Sequence, residues 1–307
     1  MNAVKNSTAT GTTATADREA PPYRGRFAPS PTGLLHPGSL VAALASWLDA
    51  RAHGGTWLIR MDDLDGPRCL PGADRAILST LECLGLISDE PVLYQSTRQA
   101  AYAAALERLE ATGRIYRCSC SRTDEPGPYS GHCRNLGLRT TPSAWRLRLE
   151  DGAMLQFHDQ LQGECRYSTA ALGDPVIFRR DGIAAYQLAT VVDDAAQGIT
   201  HVVRGADLLD STAWQISIAR ALSLAVPRHA HLPLITEPDG TKLSKSRRAV
   251  ALSRADAAGE LVRALWLLRQ QPPDELKAAE VSDILGWAVG NWRPDRLAGI
   301  RTVRLDQ

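Results

Sequence analysis

The chain has 307 residues, of which 44% are hydrophobic and 22% are charged, a composition that supports a full core in one large or two medium domains. The formal net charge of +1 excludes a global basic field, so any RNA binding must use local basic patches. No apolar run approaches the roughly 20 residues that span a bilayer, and no secretory pattern is present, so we expect a cytoplasmic protein without a membrane partner.

The first part of the chain alternates strand and helix patterns after residues 1–20, whose Thr- and Ala-rich composition predicts a disordered tail. Pro37 suits the first turn of a helix, and Gly54-Gly55 stop that helix. The predicted elements are strand 23–27, helix 37–53, strand 56–61, helix 73–84 and helix 98–112. This order is Rossmann-like, and we predict that residues 21–113 are the first half of a nucleotide-binding domain.

The composition changes beyond Ile115 to Cys, Arg, Gly, Pro and Tyr, with short strand-like stretches over 145–149 and 176–180. We predict an inserted domain over residues 114–183. Regular alternation resumes over residues 184–250, the predicted second half of the nucleotide fold. Its segments are 186–192, 199–204, the helix 211–224 and 231–235.

The last part of the chain, residues 251–307, is predicted to be helical. Leu261, Leu265 and Leu268 fall on one face of its first helix. We expect this C-terminal region to pack as a helical cap.

His36 lies just before the helix that begins at Pro37. The free N–H groups and the macrodipole of a helix N-terminus favour an anion, and Gly38 lets a ligand approach the backbone closely. The segment therefore suits a nucleotide phosphate, although an ordinary helix start with an incidental His fits it as well.

A lysine-containing loop is predicted over residues 242–246, Lys-Leu-Ser-Lys-Ser, because a turn signal, Pro-Asp-Gly, precedes it at 238–240. Lys242 and Lys245 belong to a local basic cluster, which either binds phosphate or is a solvated basic turn. Two halves of one nucleotide site occur in the expected order on an alternating α/β chain. That coincidence favours ATP binding.

Three of the six cysteines, Cys118, Cys120 and Cys133, lie close together in the predicted insert. Cys-x-Cys with a third Cys after a Pro- and Gly-rich loop is typical of a structural zinc site with four donors, and a reduced thiol cluster is the alternative. By residue type, His132 is the better fourth donor, but neighbours in an extended chain point to opposite sides. Tyr129, four residues before Cys133, is the other candidate.

Three stretches, Arg-Phe-Ala-Pro-Ser-Pro-Thr-Gly at 26–33, Arg-Met-Asp-Asp-Leu-Asp at 60–65 and Val-Arg-Gly-Ala-Asp-Leu at 203–208, complete the motif set. Together with the lysine motif they resemble the class I aminoacyl-tRNA synthetases, and within that class the glutamyl enzymes. The resemblance covers roughly residues 23–250. It implies an α/β fold: a Rossmann-like class I aminoacyl-tRNA synthetase catalytic domain with a zinc-containing insert and a short C-terminal helical region.

The resemblance also implies that ATP with Mg²⁺ and L-glutamate are substrates. The implied catalytic residues are His36, Ser39, Lys242 and Lys245, and the implied ATP-binding residues are His36, Gly38 and Lys245. Ser39 stands where many class members have a second His, a departure that is common in the glutamyl group.

The implied glutamate-binding residues are Arg26, Phe27, Ala28, Pro29, Ser30, Asp62, Tyr186 and Arg204. Arg26 and Arg204 would bind carboxylates, because the planar fork of Arg engages a carboxylate bidentately, and Asp62 would bind the ammonium group. The family usually has Glu where this chain has Asp62, which leaves that role open. Asp63 is a rival, but it should face away if residues 58–62 form a strand.

Only residues 247–307 follow the lysine motif, fewer than the anticodon-binding region of glutamyl- and glutaminyl-tRNA synthetases needs. A glutamyl enzyme without that region, but with a Cys-rich insert, resembles the bacterial family of glutamyl-queuosine tRNA(Asp) synthetases. The resemblance implies transfer of glutamate to the queuosine base of tRNA(Asp), and it implies Zn²⁺ ligands Cys118, Cys120, Tyr129 and Cys133. The alternatives are a truncated glutamyl-tRNA synthetase that charges a tRNA 3′ end and a non-catalytic paralogue that binds an amino acid or nucleotide.

Overall fold

The computed structural model describes residues 21–121, 127–139, 142–237 and 252–305. The predicted tail over 1–20 lies outside these residues, and so do Lys242 and Lys245. The first half of the chain contains the predicted alternation of strands and helices. Its elements are β1 (Arg24–Phe27), α1 (Pro37–Ala52), β2 (Thr56–Met61), α2 (Ala73–Cys83), β3 (Leu93–Tyr94) and α3 (Gln99–Ala111).

The middle of the chain contains six short elements. They are β4 (Ile115–Cys118), β5 (Ala144–Leu147), β6 (Met154–Asp159), β7 (Gly163–Ser168), α4 (Thr169–Leu172) and β8 (Val176–Phe178). Strands β4, β5 and β8 form an antiparallel sheet. The sequence predicted strands near β5 and β8 but not the hairpin of β6 and β7.

The remaining elements return to the alternating pattern and end in helices. They are α5 (Tyr186–Ala196), β9 (His201–Gly205), α6 (Leu209–Ala221), β10 (Arg228–Leu232), β11 (Leu234–Thr236), α7 (Ala257–Leu267), α8 (Val281–Gly290) and β12 (Thr302–Arg304). The sequence pattern did not define the element type of residues 186–192. The structure shows a helix there, with Leu188, Val191 and Asp194 buried at helical spacing.

The central sheet has the Rossmann strand order. Strands β1, β2 and β3 pair in parallel, and so do β9 and β10. Strand β1 lies beside β9, because the N–H of Thr200 donates to the carbonyl of Arg24 at 3.0 Å. The order β3-β2-β1-β9-β10 therefore reverses between β1 and β9, the switch point where ligands bind in such folds.

The hairpin of β6 and β7 extends this central sheet rather than the small antiparallel one. Strand β6 pairs with β10 at His229 and Asp159, and β7 pairs antiparallel with β6 on its other side. One end of the hairpin thus reaches the side of the sheet that carries β10. The domain boundaries proposed from the sequence stay a prediction.

Helix α1 is enclosed on nearly every side. It packs on β1, β2 and β9 with one face and on α7 and α8 with the other. Ala43, Leu44 and Leu48 are fully buried in this position. The C-terminal helices belong to the same hydrophobic core as α1, and Leu261, Leu265 and Leu268 are all buried, as their spacing predicts. Strand β12 then pairs in parallel with β11.

Leu265→Ala should destabilise the whole molecule, because it removes a fully buried side chain between α7 and α1. We expect the free energy of unfolding to fall by about 2–5 kcal/mol in urea titrations. Trp266→Ala is the matched control on the same helix, where the side chain is 43% exposed, and it should change the free energy much less. Equal effects of the two substitutions would contradict the packing of α7 described here.

Candidate active site

A cavity of about 470 Å³ lies at the carboxyl ends of β1, β2, β9 and β10. Among the residues the structure describes, every one predicted to be catalytic or to bind ATP or glutamate lines this cavity. These are Arg26, Phe27, Ala28, Pro29, Ser30, His36, Gly38, Ser39, Asp62, Tyr186 and Arg204. The roles of these residues stay predictions, but their convergence on one cavity is a property of the fold.

One end of the cavity is the N-terminus of α1. His36 is the N-cap residue, and its Nδ1 accepts a hydrogen bond from the N–H of Ser39 at 3.3 Å. A neutral imidazole whose Nδ1 accepts carries its proton on Nε2, so that nitrogen is a hydrogen-bond donor. Gly38 and Ala42 complete the lining. The helix terminus and the donor together suit an anionic ligand.

The other end of the cavity contains a buried chain of ion pairs. Arg26 on β1 donates from Nε and Nη2 to the two carboxylate oxygens of Asp194, at 3.1 and 3.3 Å. Arg60 on β2 donates to the same carboxylate at 2.6 Å and to Asp62 at 2.8 Å. One acid on α5 therefore holds both arginines in place.

The two acids of this chain have opposite pKa shifts. Burial raises the pKa of Asp62 above its usual value, and the attraction of Arg60 offsets this only in part. Burial acts on Asp194 in the same direction, but the charges and hydrogen bonds of Arg26 and Arg60 outweigh it and lower the pKa. Asp194 is consequently ionised, and it compensates positive charge inside the fold.

The two adjacent acids after β2 point to different places, as the strand pattern predicts. Asp62 lines the cavity, and its backbone N–H donates to the carbonyl of Pro29 at 3.0 Å, which ties the ends of β1 and β2 together. Asp63 instead accepts hydrogen bonds from the N–H and the hydroxyl of Ser96, at 2.7 and 2.6 Å. Asp62 is therefore the acid that is placed to meet a ligand.

Arg204 on β9 is buried, and its hydrogen-bond partners in the described part of the chain are neutral. Its guanidinium donates to Thr212 and to Gln215, both at 2.7 Å, and to Nε2 of His231 at 3.1 Å. Its Nη1 lies 3.5 Å from the hydroxyl of Tyr186 in the cavity. No ion pair with a carboxylate reaches Arg204 within the described ranges, and burial lowers its pKa. This cation is suited to a ligand carboxylate.

Sequence reasoning missed the side chains that hold these arginines. Asp194 is one of two consecutive acids on an otherwise apolar stretch of α5, and both are buried. The neighbouring Asp193 accepts from Tyr102 at 2.6 Å and from Gln95 at 3.0 Å, on another side of the helix. Paired acids in an apolar helix are rarely buried unless they are paired with cations or donors, which is the signal that could have found them.

The three clustered cysteines do meet in the structure. The sulfur atoms of Cys118, Cys120 and Cys133 lie within 4.8 Å of one another. The hydroxyl oxygen of Tyr129 is 3.4 Å from the Cys118 sulfur and accepts the N–H of Cys133 at 2.9 Å. His132 is exposed and does not belong to the group. Geometry therefore places Tyr129, rather than His132, beside the sulfurs.

The chemistry of this group fits a cation. Burial acts against ionisation of Cys133, but hydrogen bonds from Tyr129 and Ser119 outweigh it and lower its pKa to about 6. Burial and the neighbouring thiols raise the pKa of Cys120 to about 12. Three thiolates this close together repel one another unless a positive ion lies between them, which is the arrangement a tetrahedral zinc site provides.

A buried acid, Asp174, holds the cysteine loop on its sheet. Its two carboxylate oxygens accept hydrogen bonds from Nε and Nη2 of Arg134, each at 2.6 Å. One of these oxygens, Oδ1, also accepts from the N–H of Leu149 at 2.9 Å. Tyr116 on β4 donates to the same carboxylate. The adjacent Gly173 has φ of +65°, and a Cβ there would lie 2.5 Å from the backbone N of Tyr129, so glycine is needed for this approach.

A second cavity, of about 660 Å³, adjoins the first and shares Asp65, Arg68 and Tyr186 with it. Arg179 and Arg180, which follow β8, line its other side. The guanidinium of Arg180 donates to the carbonyl of Ser119 in the cysteine loop. A groove lined by three arginines thus leads from the first cavity toward the cysteine group.

Comparison with known proteins gives a consistent result. The family of class I tRNA synthetases (E and Q), catalytic domain, matches residues 23–125 and 131–268. The glutamyl-Q tRNA(Asp) synthetase of Pseudomonas paraeruginosa is 52% identical over 279 residues, which are 90% of this chain and 95% of that protein. The protein of the same name from Burkholderia cenocepacia is 55% identical over 252 residues, 77% of this chain and 84% of that one.

The fold also matches solved structures. A glutamate tRNA ligase from Elizabethkingia meningosepticum, crystallised with its amino acid, gives a TM-score of 0.79 at 23% identity and covers 92% of this chain and 67% of that one. This likeness concerns the fold. A search for helices long and apolar enough to cross a membrane finds none in the part of the chain that the structure describes.

Tyr129→Phe should lower the zinc content of the purified protein, because it removes the oxygen donor beside the three sulfurs. His132→Ala is the matched control and should leave the zinc content unchanged, since His132 is exposed. Elemental analysis of both variants after dialysis against a weak chelator makes the measurement. Zinc lost from His132→Ala but kept in Tyr129→Phe would reverse the assignment.

Proposed function

The chain belongs to the class I tRNA synthetases (E and Q), and from this premise we propose that it activates L-glutamate with ATP and transfers it to the queuosine base of tRNA(Asp). The observation that carries the proposal is the identity of 52% and 55% with two proteins named glutamyl-Q tRNA(Asp) synthetase. The cavity supports it, because an anion-binding helix terminus faces a buried cation and an acid.

The first step is formation of glutamyl-adenylate. An oxygen of the glutamate α-carboxylate attacks the α-phosphorus of ATP, a new O–P bond forms, and the bond to pyrophosphate breaks. No protein nucleophile takes part. His36, Gly38 and the N-terminus of α1 would bind the phosphates, with Ser39 beside them. Lys242 and Lys245 of the lysine loop would add positive charge for the same phosphates. Mg²⁺ carried by ATP would neutralise further phosphate charge.

Glutamate would lie between Arg204 and Asp62. Arg204 has a buried charge without a carboxylate partner among the described residues, so a substrate carboxylate gains the full attraction there. Arg26 is already paired with Asp194, and we assign it a weaker share of carboxylate binding. Asp62 would accept the substrate ammonium, and the hydroxyl of Tyr186 lies beside Arg204. The segment 27–30 after β1 completes the pocket wall.

The second step is transfer to RNA. A queuosine hydroxyl attacks the carbonyl carbon of the adenylate, an ester bond forms, and AMP leaves with the bonding electrons. The groove lined by Arg68, Arg179 and Arg180 supplies positive charge for the RNA backbone next to the glutamate pocket. Zn²⁺ on Cys118, Cys120, Tyr129 and Cys133 would stabilise the loop that forms the far side of this groove. Because tRNA and ATP are the substrates, we propose that the protein acts in the cytoplasm.

The purified protein should catalyse glutamate-dependent ATP–pyrophosphate exchange without any tRNA, because the described residues predicted to bind ATP and glutamate already line one cavity of this chain. Lys245→Ala should slow the exchange about a hundredfold, since one phosphate contact in the transition state is lost. Lys277→Ala is the control, because Lys277 is exposed, lies outside the cavity and pairs with nearby Asp274 at 2.6 Å. A strict tRNA requirement, or an undiminished rate in Lys245→Ala, would contradict the proposed activation step.

Asp62→Asn should raise the KM for glutamate, because a charge-assisted bond to the ammonium becomes a neutral one of roughly half the strength. Asp62→Glu adds one methylene and should retain partial activity. Asp63→Asn provides the control, since Asp63 bonds to Ser96 outside the cavity. Steady-state exchange kinetics with glutamate varied make the measurement. A raised KM in Asp63→Asn with a normal KM in Asp62→Asn would show that the wrong acid was chosen.

A further inference from the structure

Arg204 is connected to a buried acid that is far from it in sequence. Asp159, at the end of β6, accepts from Nδ1 of His231 at 2.5 Å, and Nε2 of His231 accepts from Nε of Arg204 at 3.1 Å. Asp159 and His231 are completely buried, and Arg204 is 6% exposed. The three residues belong to three neighbouring strands, β6, β10 and β9.

The donors and acceptors of this chain allow one arrangement of protons. Asp159 is a carboxylate, because hydrogen bonds from His231 and from backbone N–H groups outweigh burial and lower its pKa. Its Oδ2 can only accept, so Nδ1 of His231 carries the proton. The guanidinium of Arg204 can only donate, so Nε2 of His231 must be unprotonated. Burial lowers the pKa of His231 and favours the same neutral form.

The hydrogen bond that Nε of Arg204 donates to His231 fixes one corner of the guanidinium. Thr212 and Gln215 on α6 hold Nη2, each at 2.7 Å. With Nε and Nη2 held by neutral acceptors, Nη1 is the corner that points toward Tyr186 in the cavity. Because none of these acceptors is charged, they orient the cation without neutralising it.

We propose that Asp159 and His231 are positioning residues for the amino-acid substrate: they fix the imidazole tautomer that holds Arg204 toward the substrate carboxylate. The proposal rests on the proposed function, since it concerns the same glutamate pocket. It gives the hairpin of β6 and β7 a part in substrate binding, although neither strand lines the cavity.

A purely structural role is the alternative, and the geometry separates the two. Oδ1 of Asp159 accepts three backbone N–H groups, from Leu161, Gln162 and His231, at 2.9 to 3.1 Å. The bonds from Leu161 and Gln162 close the hairpin turn, and the bond from His231 joins that turn to β10. An Asn side chain can keep all three with its carbonyl oxygen. Oδ2, by contrast, accepts a hydrogen bond from the imidazole alone among the residues that the structure describes.

Asp159→Asn is therefore the decisive substitution. The three backbone N–H groups fix the amide oxygen in place, so the amide NH₂ must face Nδ1 of His231. The imidazole then has to accept at Nδ1 and carry its proton on Nε2. Thr212 can accept that proton at 3.0 Å, but the N–H of Arg204 Nε loses its acceptor.

We expect Asp159→Asn to raise the KM for glutamate about tenfold in pyrophosphate exchange, as the loss of one buried hydrogen bond to a charged group implies, with the KM for ATP unchanged. Asp49→Asn is the matched control: Asp49 is also buried and accepts from Tyr23 and Trp292, but it does not line the cavity. Nitrogen NMR shifts of the His231 imidazole should show the Nδ1–H tautomer in the wild type and the Nε2–H tautomer in Asp159→Asn.

Two substitutions of His231 test the proposal independently. His231→Asn keeps an amide donor near Asp159 but places no acceptor at the former position of Nε2. His231→Gln places its amide oxygen near that position, where it can accept a hydrogen bond from Arg204. We expect His231→Gln to have a lower KM for glutamate than His231→Asn.

The outcomes separate the two claims. No glutamate-dependent exchange by the wild type would overturn the proposed function, and with it the positioning role of Asp159 and His231. If the wild type is active, an unchanged KM for glutamate in Asp159→Asn would overturn only the positioning role of Asp159 and His231. Equal KM values for glutamate in the two His231 variants would do the same.

Discussion

The ion pairs of the buried Asp194 carboxylate with Arg26 and Arg60 hold together the end of the cavity that is proposed to bind glutamate. Arg26 on β1 and Arg60 on β2 both donate to that carboxylate, and Arg60 also holds Asp62. One carboxylate on α5 thereby fixes β1 and β2 relative to that helix. Because an isolated buried charge is very costly, removing any member of this network leaves another uncompensated. The network therefore defines a rigid wall against which a ligand can bind.

The difference between the two cavity arginines follows from this arrangement. The charge of Arg26 is compensated inside the protein, while Arg204 is held by neutral acceptors on α6 and β10. A pocket with two equally free arginines would repel an ammonium group, and one with two compensated arginines would bind a carboxylate weakly. The observed asymmetry suits an amino acid that has both groups.

Much of the fold could be predicted because its local signals agree with its packing. Pro37 and Gly54 mark the ends of α1, since Pro37 has no backbone N–H to leave unpaired in the first turn and Gly54 has φ of +62°, which is not a helical value. The residues of the motifs after β1, β2 and β9 converge because carboxyl ends of strands meet at one edge of the sheet. The same alternation argument gave the outward direction of Asp63.

Other features depend on contacts that no local pattern records. Asp194, Asp159 and His231 act through partners that are distant in sequence. The paired acids of α5 could have marked Asp194 as a buried acid, but a single sequence does not show which residues are its partners. The hairpin of β6 and β7 was missed because β6 alternates exposed and half-buried residues and its other partner, β10, comes far later in the chain. In the cysteine loop, residue type favoured His132, and only the path of the chain places Tyr129 beside the sulfurs.

Transfer of glutamate to the queuosine base can be measured as incorporation of radiolabelled glutamate into purified tRNA(Asp). Three substrates are needed: tRNA(Asp) with queuosine, the same tRNA with guanosine in its place, and queuosine-bearing tRNA trimmed of its 3′-terminal adenosine. We expect label on the first and third substrates and none on the second. Label that requires the intact 3′ end and does not depend on queuosine would show that the protein is an ordinary glutamyl-tRNA synthetase and that transfer to queuosine is wrong.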